Sequence, residues 1–315
     1  MLTIDAHIDV PWIMTKRGAI DLNQRQTESA VDFPRMREGG LQSAIFALYL
    51  SDSMQNGRRA EEVDALIDAQ IAFINEQMGC EIVDDPANAE AVYATGKIPI
   101  FLGLEGGRLI HESLTRLAEL RKAGVRYLTL THNASTSWAD SAMDSPRHGG
   151  LSKLGRAIVQ AAAELGILID VSHASDRVCE MVCNMGVPVI ASHSGCRALV
   201  NHRRNLSDDL IKRITESIGT IHIPFARKFI GDYFTVADHI DHVVQLTGSI
   251  GYVGIGSDLD GAEMVTEVQD VSKWKEVTID ALARKGYSDV SIGYIVGSNT
   301  LWMLEIQKKR VQTVT

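Results

Sequence analysis

The chain has 315 residues, of which 45% are hydrophobic and 23% are charged, with 26 glycines and only 7 prolines. This composition excludes a disordered chain or a fibrous repeat and supplies enough apolar residues for a large buried core. The formal net charge of -9 disfavours binding to nucleic acid or to anionic membrane surfaces. The length fits either two ordinary domains or one large α/β barrel.

The sequence predicts a cytoplasmic protein that does not bind membranes. The first residues lack the basic region and apolar run of a signal peptide, and residues 307–315 are too polar for a lipid-anchor signal. No apolar stretch approaches the roughly 18 residues of a membrane-spanning helix. The four cysteines follow neither a zinc-knuckle nor a disulfide-framework spacing.

Short apolar runs, rich in β-branched residues, alternate with segments of helical periodicity. The eight runs are Leu2–Ala6, Ser43–Leu50, Ile98–Leu104, Tyr127–Leu130, Ile167–Val171, Val187–Ala191, Thr220–Phe225 and Tyr252–Gly256. Such alternation is typical of a parallel sheet with crossover helices, and eight repeats predict a (β/α)8 TIM barrel. No linker-like segment interrupts the chain, so we expect a single domain over residues 1–315, with loop elaborations at Ser51–Gly57 and Asn133–Gly150.

Helices are predicted between the runs from the spacing of apolar residues. One contains Val63, Leu66, Ile67, Ile71, Ile74 and Met78, and another contains Ala157, Ile158, Ala161 and Leu165. Thr235 and Asp238 have the spacing of a capping box, which predicts a helix start.

Histidines or carboxylates follow six of the eight runs, at the ends where the loops of a barrel converge. The segments are His7-Ile8-Asp9, Glu105-Gly106-Gly107, Thr131-His132-Asn133, Ser172-His173, Ser192-His193-Ser194 and Ser257-Asp258-Leu259-Asp260-Gly261. Imidazole and carboxylate are zinc ligands, and a shared carboxylate can bridge two ions. The convergence therefore favours a binuclear hydrolytic metal site.

Each segment alone also has a purely structural explanation. His7 and Asp9 could form a turn, Glu105 could precede a glycine corner, and His173 and His193 could be buried and bonded to backbone carbonyls. Five such coincidences at one end of four strands would be unusual, and this favours the metal site.

These segments resemble the membrane (renal) dipeptidase family. The resemblance is carried by His7-Ile8-Asp9-Val10-Pro11-Trp12, Glu105-Gly106-Gly107, Tyr127–Asn133 with Trp138-Ala139-Asp140, Gly166–His173, Ser192-His193-Ser194, Arg203-Arg204-Asn205 and Gly256–Gly261. It implies an amidohydrolase-type barrel that binds two zinc ions, forms a homodimer and hydrolyses dipeptides. It also predicts a nucleophilic hydroxide between the two metals and leaves tolerance of a D-residue at the C-terminal position open.

The resemblance implies roles for individual residues. His7 and Asp9 would hold one zinc ion, His173 and His193 the other, and Glu105 would bridge them. His132 would bind the substrate carbonyl and the oxyanion, Arg204 the substrate carboxylate, and Asp258 would shuttle the proton. Arg203 is the rival of Arg204, and Asp260 is the rival of Asp258.

The remaining histidines are expected to be structural, except that His222 lies within the seventh run and could face the barrel interior. The structural group comprises His111, His148, His202, His239 and His242. Ala226 stands where family members often have a tyrosine near the substrate, which leaves the substrate preference open. Alternatives to a dipeptidase are cleavage of another amide or lactone at the same site, such as an N-acyl amino acid or lactam, and a noncatalytic small-molecule binder.

Overall fold

The structure is a computed structural model that describes residues 2–18 and 20–314, with side chains described up to residue 307. Its strands are β1 (Ile4–Ile8), β2 (Ser43–Tyr49), β3 (Cys80–Ile82), β4 (Ile98–Glu105), β5 (Val125–Thr129), β6 (Leu168–Asp170), β7 (Val189–Ala191), β8 (Gly219–Ile223) and β9 (Val253–Ile255). Eight of these strands pair in parallel in the order β1-β2-β4-β5-β6-β7-β8-β9. Strand β3 lies outside this order and pairs in parallel with the first three residues of β4.

The barrel closes where the segment after β9 meets the end of β1. The Asp258 amide donates to the His7 carbonyl at 3.0 Å, and the Asp9 amide donates to the Leu259 carbonyl at 2.9 Å. These two bonds complete a (β/α)8 TIM barrel, and the predicted fold is confirmed. They also bring the polar ends of the first and last strands together.

The eight predicted strands are all present, with bounds that differ by a few residues. Strand β3 was not predicted, because it has only three residues and its middle residue, Glu81, is exposed. It lies beside the barrel strands and does not change their order.

The α-helices lie between and after the strands. They are α1 (Val10–Arg17), α2 (Phe33–Glu38), α3 (Asp52–Gln55), α4 (Ala60–Glu76), α5 (Ala89–Ala94), α6 (Leu114–Lys122), α7 (Lys153–Glu164), α8 (Asp176–Cys183), α9 (Asp208–Glu216), α10 (Arg227–Ile230), α11 (Val236–Thr247), α12 (Trp274–Val277), α13 (Ile279–Arg284), α14 (Asp289–Gly293) and α15 (Asn299–Val314). Short 3₁₀ helices occupy Pro86–Asn88, Gly107–Ile110, Ile250–Tyr252 and Val271–Lys273, and Tyr294–Ser298 is a π-helix.

The predicted helices are confirmed, with one local error. Helix α11 begins at the predicted capping box, in which Thr235 and Asp238 bond reciprocally. Helix α4 ends at Glu76, so Met78 lies beyond it and is 82% exposed instead of facing the core. The predicted loop at residues 51–57 contains α3, whereas residues 133–150 form neither helix nor strand.

Two apolar clusters form the core because alternate strand residues face opposite sides of the sheet. The larger cluster joins the outward faces of the strands to the surrounding helices. The smaller one joins alternate strand residues such as Ile45, Phe101 and Leu168 to Met303 and Leu304 of α15. Helix α15 therefore helps to fill the barrel interior.

None of the described helices is both long enough and apolar enough to cross a bilayer. All four cysteines are buried free thiols.

Candidate metal centre

The five predicted metal ligands come together at one mouth of the barrel. His7, Asp9 and Glu105 form one group whose ligand atoms lie within 4.8 Å of one another, and Glu105, His173 and His193 form a second. All five side chains are buried. The structure therefore brings together every residue that the sequence predicted for this purpose.

The local fold explains how His7 and Asp9 reach the same point. His7 lies in β1, whereas Asp9 follows the strand and is the cap residue of α1, where Pro11 occupies the first turn. Their side chains can therefore turn toward each other, and His7 Nε2 lies 3.4 Å from Asp9 Oδ2.

His173 and His193 follow β6 and β7. The backbone of His173 has a φ of +66°, a left-handed conformation that is uncommon outside glycine and costs of the order of 1 kcal/mol or more. Strain of this kind persists where the surrounding structure enforces it, often at functional sites. The backbone amide of His193 is held by Ser172 Oγ at 3.0 Å.

Glu105, the last residue of β4, is shared by both groups. Its Oε1 lies 3.0 Å from His173 Nε2, 3.5 Å from His193 Nε2 and 3.7 Å from His7 Nε2. One carboxylate oxygen thus faces three imidazoles from three other strands. This is the position that a bridging ligand would occupy between two metal ions.

The residues present fit zinc. Ligand atoms that bind one tetrahedral zinc ion at about 2.0–2.1 Å lie roughly 3.4 Å apart, close to the separations seen here. His7 Nε2, Asp9 Oδ2 and His193 Nε2 are buried and have no hydrogen-bond partner in the structure. Buried polar atoms without partners are rare and costly, so these three atoms are available for metal coordination.

Asp258 lies within the same cluster. Its carboxylate forms a third group with His7 and His193, whose ligand atoms also lie within 4.8 Å of one another. Like His173, Asp258 has a left-handed backbone, with a φ of +64°. Asp258 is therefore close enough either to exchange a proton at the metal centre or to act as a ligand.

Burial strongly influences protonation at this centre. It raises the pKa of Asp9, Glu105 and Asp258, and it lowers the pKa of His173 and His193. His173 and His193 are therefore neutral at pH 7, as metal-binding imidazoles must be. A bound cation would offset the cost of ionising the three buried carboxyls.

Two of the candidate ligand histidines are held through their second ring nitrogens. His7 Nδ1 lies 2.7 Å from the hydroxyl of Tyr127, and His193 Nδ1 lies 2.8 Å from Ser192 Oγ. Ser192 in turn donates to Asp170 Oδ2 at 2.7 Å. These three supporting residues were not predicted, because their only sequence signal is a polar group within or beside an apolar run.

A cavity of about 350 Å³ opens above the cluster. Its lining residues are Asp9, Trp12, Tyr49, Glu105, His132, Asn133, Met143, His173, His202, Arg204, Lys228, Phe229, Asp258, Gly261 and Ala262. The volume falls in the range of small-molecule sites. The predicted substrate residues His132, Arg204 and Asp258 all line this cavity.

His132 is placed to donate a hydrogen bond as a neutral imidazole. Burial, reinforced by the positive charge of Arg204, lowers its pKa to about 3. Its Nδ1 lies 3.3 Å from the hydroxyl of Tyr49, and its ring centre lies 4.3 Å from that of His173. Its other ring nitrogen is not a member of any metal-ligand group among the described residues.

Arg204 is a buried cation that forms no ion pair with any carboxylate whose side chain the structure describes. Only 4% of the residue is exposed, and its Nε has no hydrogen-bond partner. Burial lowers its pKa to about 10, so the guanidinium stays charged at pH 7. Arg203 lines a different cavity of about 550 Å³, which contains none of the metal-ligand candidates.

Other residues flagged in the sequence take different positions. Asp260 bonds to Ser29 Oγ at 2.5 Å and to the Ala30 amide at 2.7 Å, and it lies outside the metal groups. His222 is buried with Nε2 3.0 Å from Thr300 Oγ1. Ala226 is buried and does not line the cavity, whereas Tyr49 does.

Three further lining residues were missed by the sequence reasoning. His202, expected to be structural, accepts a hydrogen bond at Nδ1 from the Arg204 amide at 3.1 Å. Lys228 and Phe229 belong to the short helix α10 and reach the cavity beside Arg204. The distance of Lys228 and Phe229 along the sequence from the predicted site residues does not indicate that they line the cavity.

The family model for membrane dipeptidase, peptidase family M19, matches residues 1–314. The chain belongs to this family. It is therefore a hydrolase of the metallo-dipeptidase class, which implies a metal cofactor, and the residue groups described above are the candidates for holding it. Dipeptidase aclJ of Aspergillus oryzae is 33% identical over 293 residues, which cover 87% of this chain and 69% of that protein. An uncharacterised dipeptidase of Schizosaccharomyces pombe is 28% identical over 323 residues, which cover 95% of this chain and 79% of that protein.

Two solved structures share the fold. A metallopeptidase from Rhodobacter sphaeroides, crystallised with a phosphinate mimic of L-Ala-D-Ala, superposes with a TM-score of 0.86 at 24% identity and covers 97% of this chain and 99% of that one. The probable dipeptidase PvdM from Pseudomonas aeruginosa gives 0.85 at 23% identity, with 98% and 96% covered. Both likenesses support the barrel architecture.

Proposed function

We propose that this M19 protein hydrolyses dipeptides with a free α-carboxylate at a centre that binds two zinc ions. The proposal rests on the position of Arg204, whose buried guanidinium has no carboxylate partner in the described structure. Arg204 lines the same cavity as the cluster of candidate metal ligands. An unpaired buried charge is unfavourable, and a substrate carboxylate would satisfy it. The fork of a guanidinium also matches a carboxylate geometrically.

The proposed zinc ligands are His7 and Asp9 for one ion and His173 and His193 for the other, with Glu105 shared. The two ligand groups and their partnerless buried atoms support this assignment. Zinc bound at these residues would supply a Lewis acid for the scissile carbonyl. It would also lower the pKa of a water molecule, so that hydroxide is available for attack near neutral pH.

The protein's own residues would orient and protonate the reacting groups. Arg204 holds the α-carboxylate and thereby positions the peptide bond, and His132 donates a hydrogen bond to the carbonyl oxygen as negative charge develops there. Asp258 accepts a proton from the attacking water and delivers it to the leaving amine. The neutral state of His132 and the position of Asp258 beside His7 and His193 support these roles.

We extend the proposal to dipeptides with a D-residue at the C-terminal position. The mimic bound by the Rhodobacter protein has this configuration, which is a property of that protein and motivates the same comparison here. Matched L-Ala-L-Ala and L-Ala-D-Ala substrates test it directly. Cleavage of the L,L isomer alone would contradict the extension and leave the dipeptidase proposal intact.

A dipeptide library assayed with zinc-loaded protein tests the proposed function. We expect cleavage of dipeptides with a free α-carboxylate and little or no cleavage of their C-terminal amides, of N-acyl amino acids, or of lactams and lactones. Zinc content measured on the same samples should show two ions per chain. Turnover of an N-acyl amino acid, lactam or lactone without turnover of any dipeptide would overturn the proposal.

We also propose a cytoplasmic location and a homodimer. The four free, buried cysteines support a reducing compartment, and the family resemblance supports the dimer. Fractionation of the source cells and light scattering on the purified protein test the two statements separately. An extracellular protein would refute the first, and a monomer at micromolar concentration would refute the second.

A further inference from the structure

Two cations lie over the ring of Phe229 at one end of the cavity. Arg204 Cζ is 5.1 Å from the centre of this ring, and Lys228 Nζ is 5.0 Å from it. Arg204 is buried, whereas Lys228 lies on α10 with its side chain exposed. The charge of Arg204 is therefore deep in the cavity, and the charge of Lys228 lies nearer to solvent.

The charge of Lys228 is not balanced by a carboxylate within the described side chains. Its sequence neighbour Arg227 pairs with both Asp232 and Glu263, but Lys228 forms no ion pair there. The three carboxylates that line the cavity, those of Asp9, Glu105 and Asp258, all belong to the metal-ligand groups. What distinguishes Lys228 from the exposed lysines elsewhere is that it lines the cavity beside Arg204, the proposed carboxylate-binding residue.

The opposite wall of the cavity has a different character. Trp12 and Tyr49 meet edge to face there, with ring centres 5.2 Å apart, and the Tyr49 ring lies 4.6 Å from that of His132. The cavity-lining residues on this wall are aromatic, and Lys16, which is not a lining residue, places its Nζ 5.4 Å from the centre of the Trp12 ring. Arg204 and Lys228, the lysine and arginine side chains among the lining residues, both lie beside Phe229.

We propose that Lys228 selects dipeptides whose C-terminal residue is aspartate or glutamate. The inference rests on the proposed dipeptidase function, in which Arg204 holds the α-carboxylate. A neutral C-terminal residue then provides one negative charge for two cations. The side-chain carboxylate of an acidic residue provides the second charge and pairs with Lys228 at the outer edge of the cavity. Lys228 is a specificity-determining residue in this scheme.

The test measures kcat/KM for X-Asp, X-Asn, X-Glu and X-Gln dipeptides that share the same N-terminal residue X. We expect the wild-type enzyme to favour each acid over its amide by about two- to fivefold at low salt, the range for an exposed ion pair. The preference should shrink at high salt, because exposed charges are screened. Asp and Asn have nearly the same shape, so their ratio isolates the charge.

Three variants sharpen the test. Lys228→Ala should bring the acid-to-amide ratio close to one, and Lys228→Glu should reverse it and favour X-Lys over X-Gln. Lys212→Ala removes the same charge from the exposed surface of α9 and should keep the wild-type ratio. Equal cleavage of X-Asp and X-Asn by the wild type, or an unchanged ratio in Lys228→Ala, would overturn the inference. Failure to cleave any dipeptide would instead refute the underlying dipeptidase proposal.

Discussion

The hydroxyl oxygen of Ser192 lies 2.8 Å from Nδ1 of His193, the residue that follows it. Because Ser192 donates its own proton to Asp170 at 2.7 Å, its oxygen must accept the proton on His193 Nδ1. This fixes the tautomer in which His193 Nε2 carries a lone pair, and that atom lies 3.5 Å from Glu105 Oε1. Asp170 and Ser192 are therefore positioning residues for a proposed metal ligand.

Removing this support should weaken metal binding. We expect Ser192→Ala to lower zinc affinity by about 10- to 100-fold, the usual range for an outer-sphere partner of a ligand histidine, while the fold is kept. Competition with a chromogenic chelator measures the affinity without an activity assay. Ser192→Thr keeps the hydroxyl and should restore most of the affinity.

Ser194→Ala is the matched control. Ser194 lies on the other side of His193 and is equally buried, but its hydroxyl contacts Ser172 instead of the imidazole. Its zinc affinity should match that of the wild type. Equal losses in Ser192→Ala and Ser194→Ala would show that general packing, and not the hydrogen bond to Nδ1, controls the site.

The second prediction concerns the number of metal ions. His173 belongs to only one ligand group among the described residues, whereas Glu105 belongs to two. His173→Ala should therefore retain one zinc ion per chain, and Glu105→Ala should lose both. Elemental analysis after dialysis checks this. Two retained ions in His173→Ala, or a wild-type active enzyme with only one ion, would contradict the binuclear arrangement.

The third prediction concerns Arg204. If Arg204 holds the α-carboxylate, Arg204→Ala should lower kcat/KM for dipeptides. The expected loss of transition-state stabilisation is about 2 to 5 kcal/mol, the range for loss of one partner of a desolvated charge pair. Arg203→Ala is the control, because Arg203 lines the other cavity. Equal turnover of a dipeptide and its C-terminal amide by the wild type would show that Arg204 has another role.

The fourth prediction concerns Gly261, which lies against two carboxylates of the site. A Cβ at this position would overlap with Asp9 Oδ2 and would lie 2.5 Å from Asp258 Oδ1. Gly261→Ala should therefore displace both carboxylates and reduce zinc affinity. Gly251→Ala adds a methyl group whose nearest neighbour is 3.4 Å away, and it should leave zinc binding unchanged. Normal zinc affinity in Gly261→Ala would show that the loop accommodates the methyl group freely.

The barrel could be predicted from the sequence because its strands leave a local signal in the chain. Each barrel strand is an apolar run, and each candidate ligand lies at the end of its strand or within three residues after it, so the convergence of parallel strand ends brings the candidates together. The errors occur where the spacing of apolar residues does not match the secondary structure. Met78 continues the apolar spacing of α4, but the chain leaves the helix at Glu76, and three-residue β3 is too short to produce a periodic signal.

The supporting and specificity residues could not be predicted because their roles depend on contacts between distant elements. Tyr127 reaches His7 across 120 positions in the sequence, and the pairing of their strands with intervening strands decides that contact. Lys228 reaches the cavity through the placement of the four-residue helix α10. Neither relation leaves a periodicity or a spacing that can be read along the chain.

The last prediction separates two roles for Asp258. As the proton-transferring group, it needs a carboxylate that can accept a proton from water, whereas as a ligand it needs only to bind the metal. Its membership of a group with His7 and His193 makes both roles geometrically feasible. Asp258→Asn keeps the shape and removes the basicity. We expect this variant to keep two zinc ions and a near-normal melting temperature, while kcat falls by about 10² to 10⁴.

Asp260→Asn provides the comparison that decides the assignment. Asp260 holds the Ser29 hydroxyl and the Ala30 amide, so an amide there should loosen that loop and lower the melting temperature, with a smaller effect on kcat. Zinc content, melting temperature and kcat measured on both variants distinguish the cases. Loss of a zinc ion in Asp258→Asn would make Asp258 a ligand, because proton transfer does not require it to hold metal. Loss of kcat in Asp260→Asn alone, with both zinc ions kept, would move the acid-base role two residues along the chain.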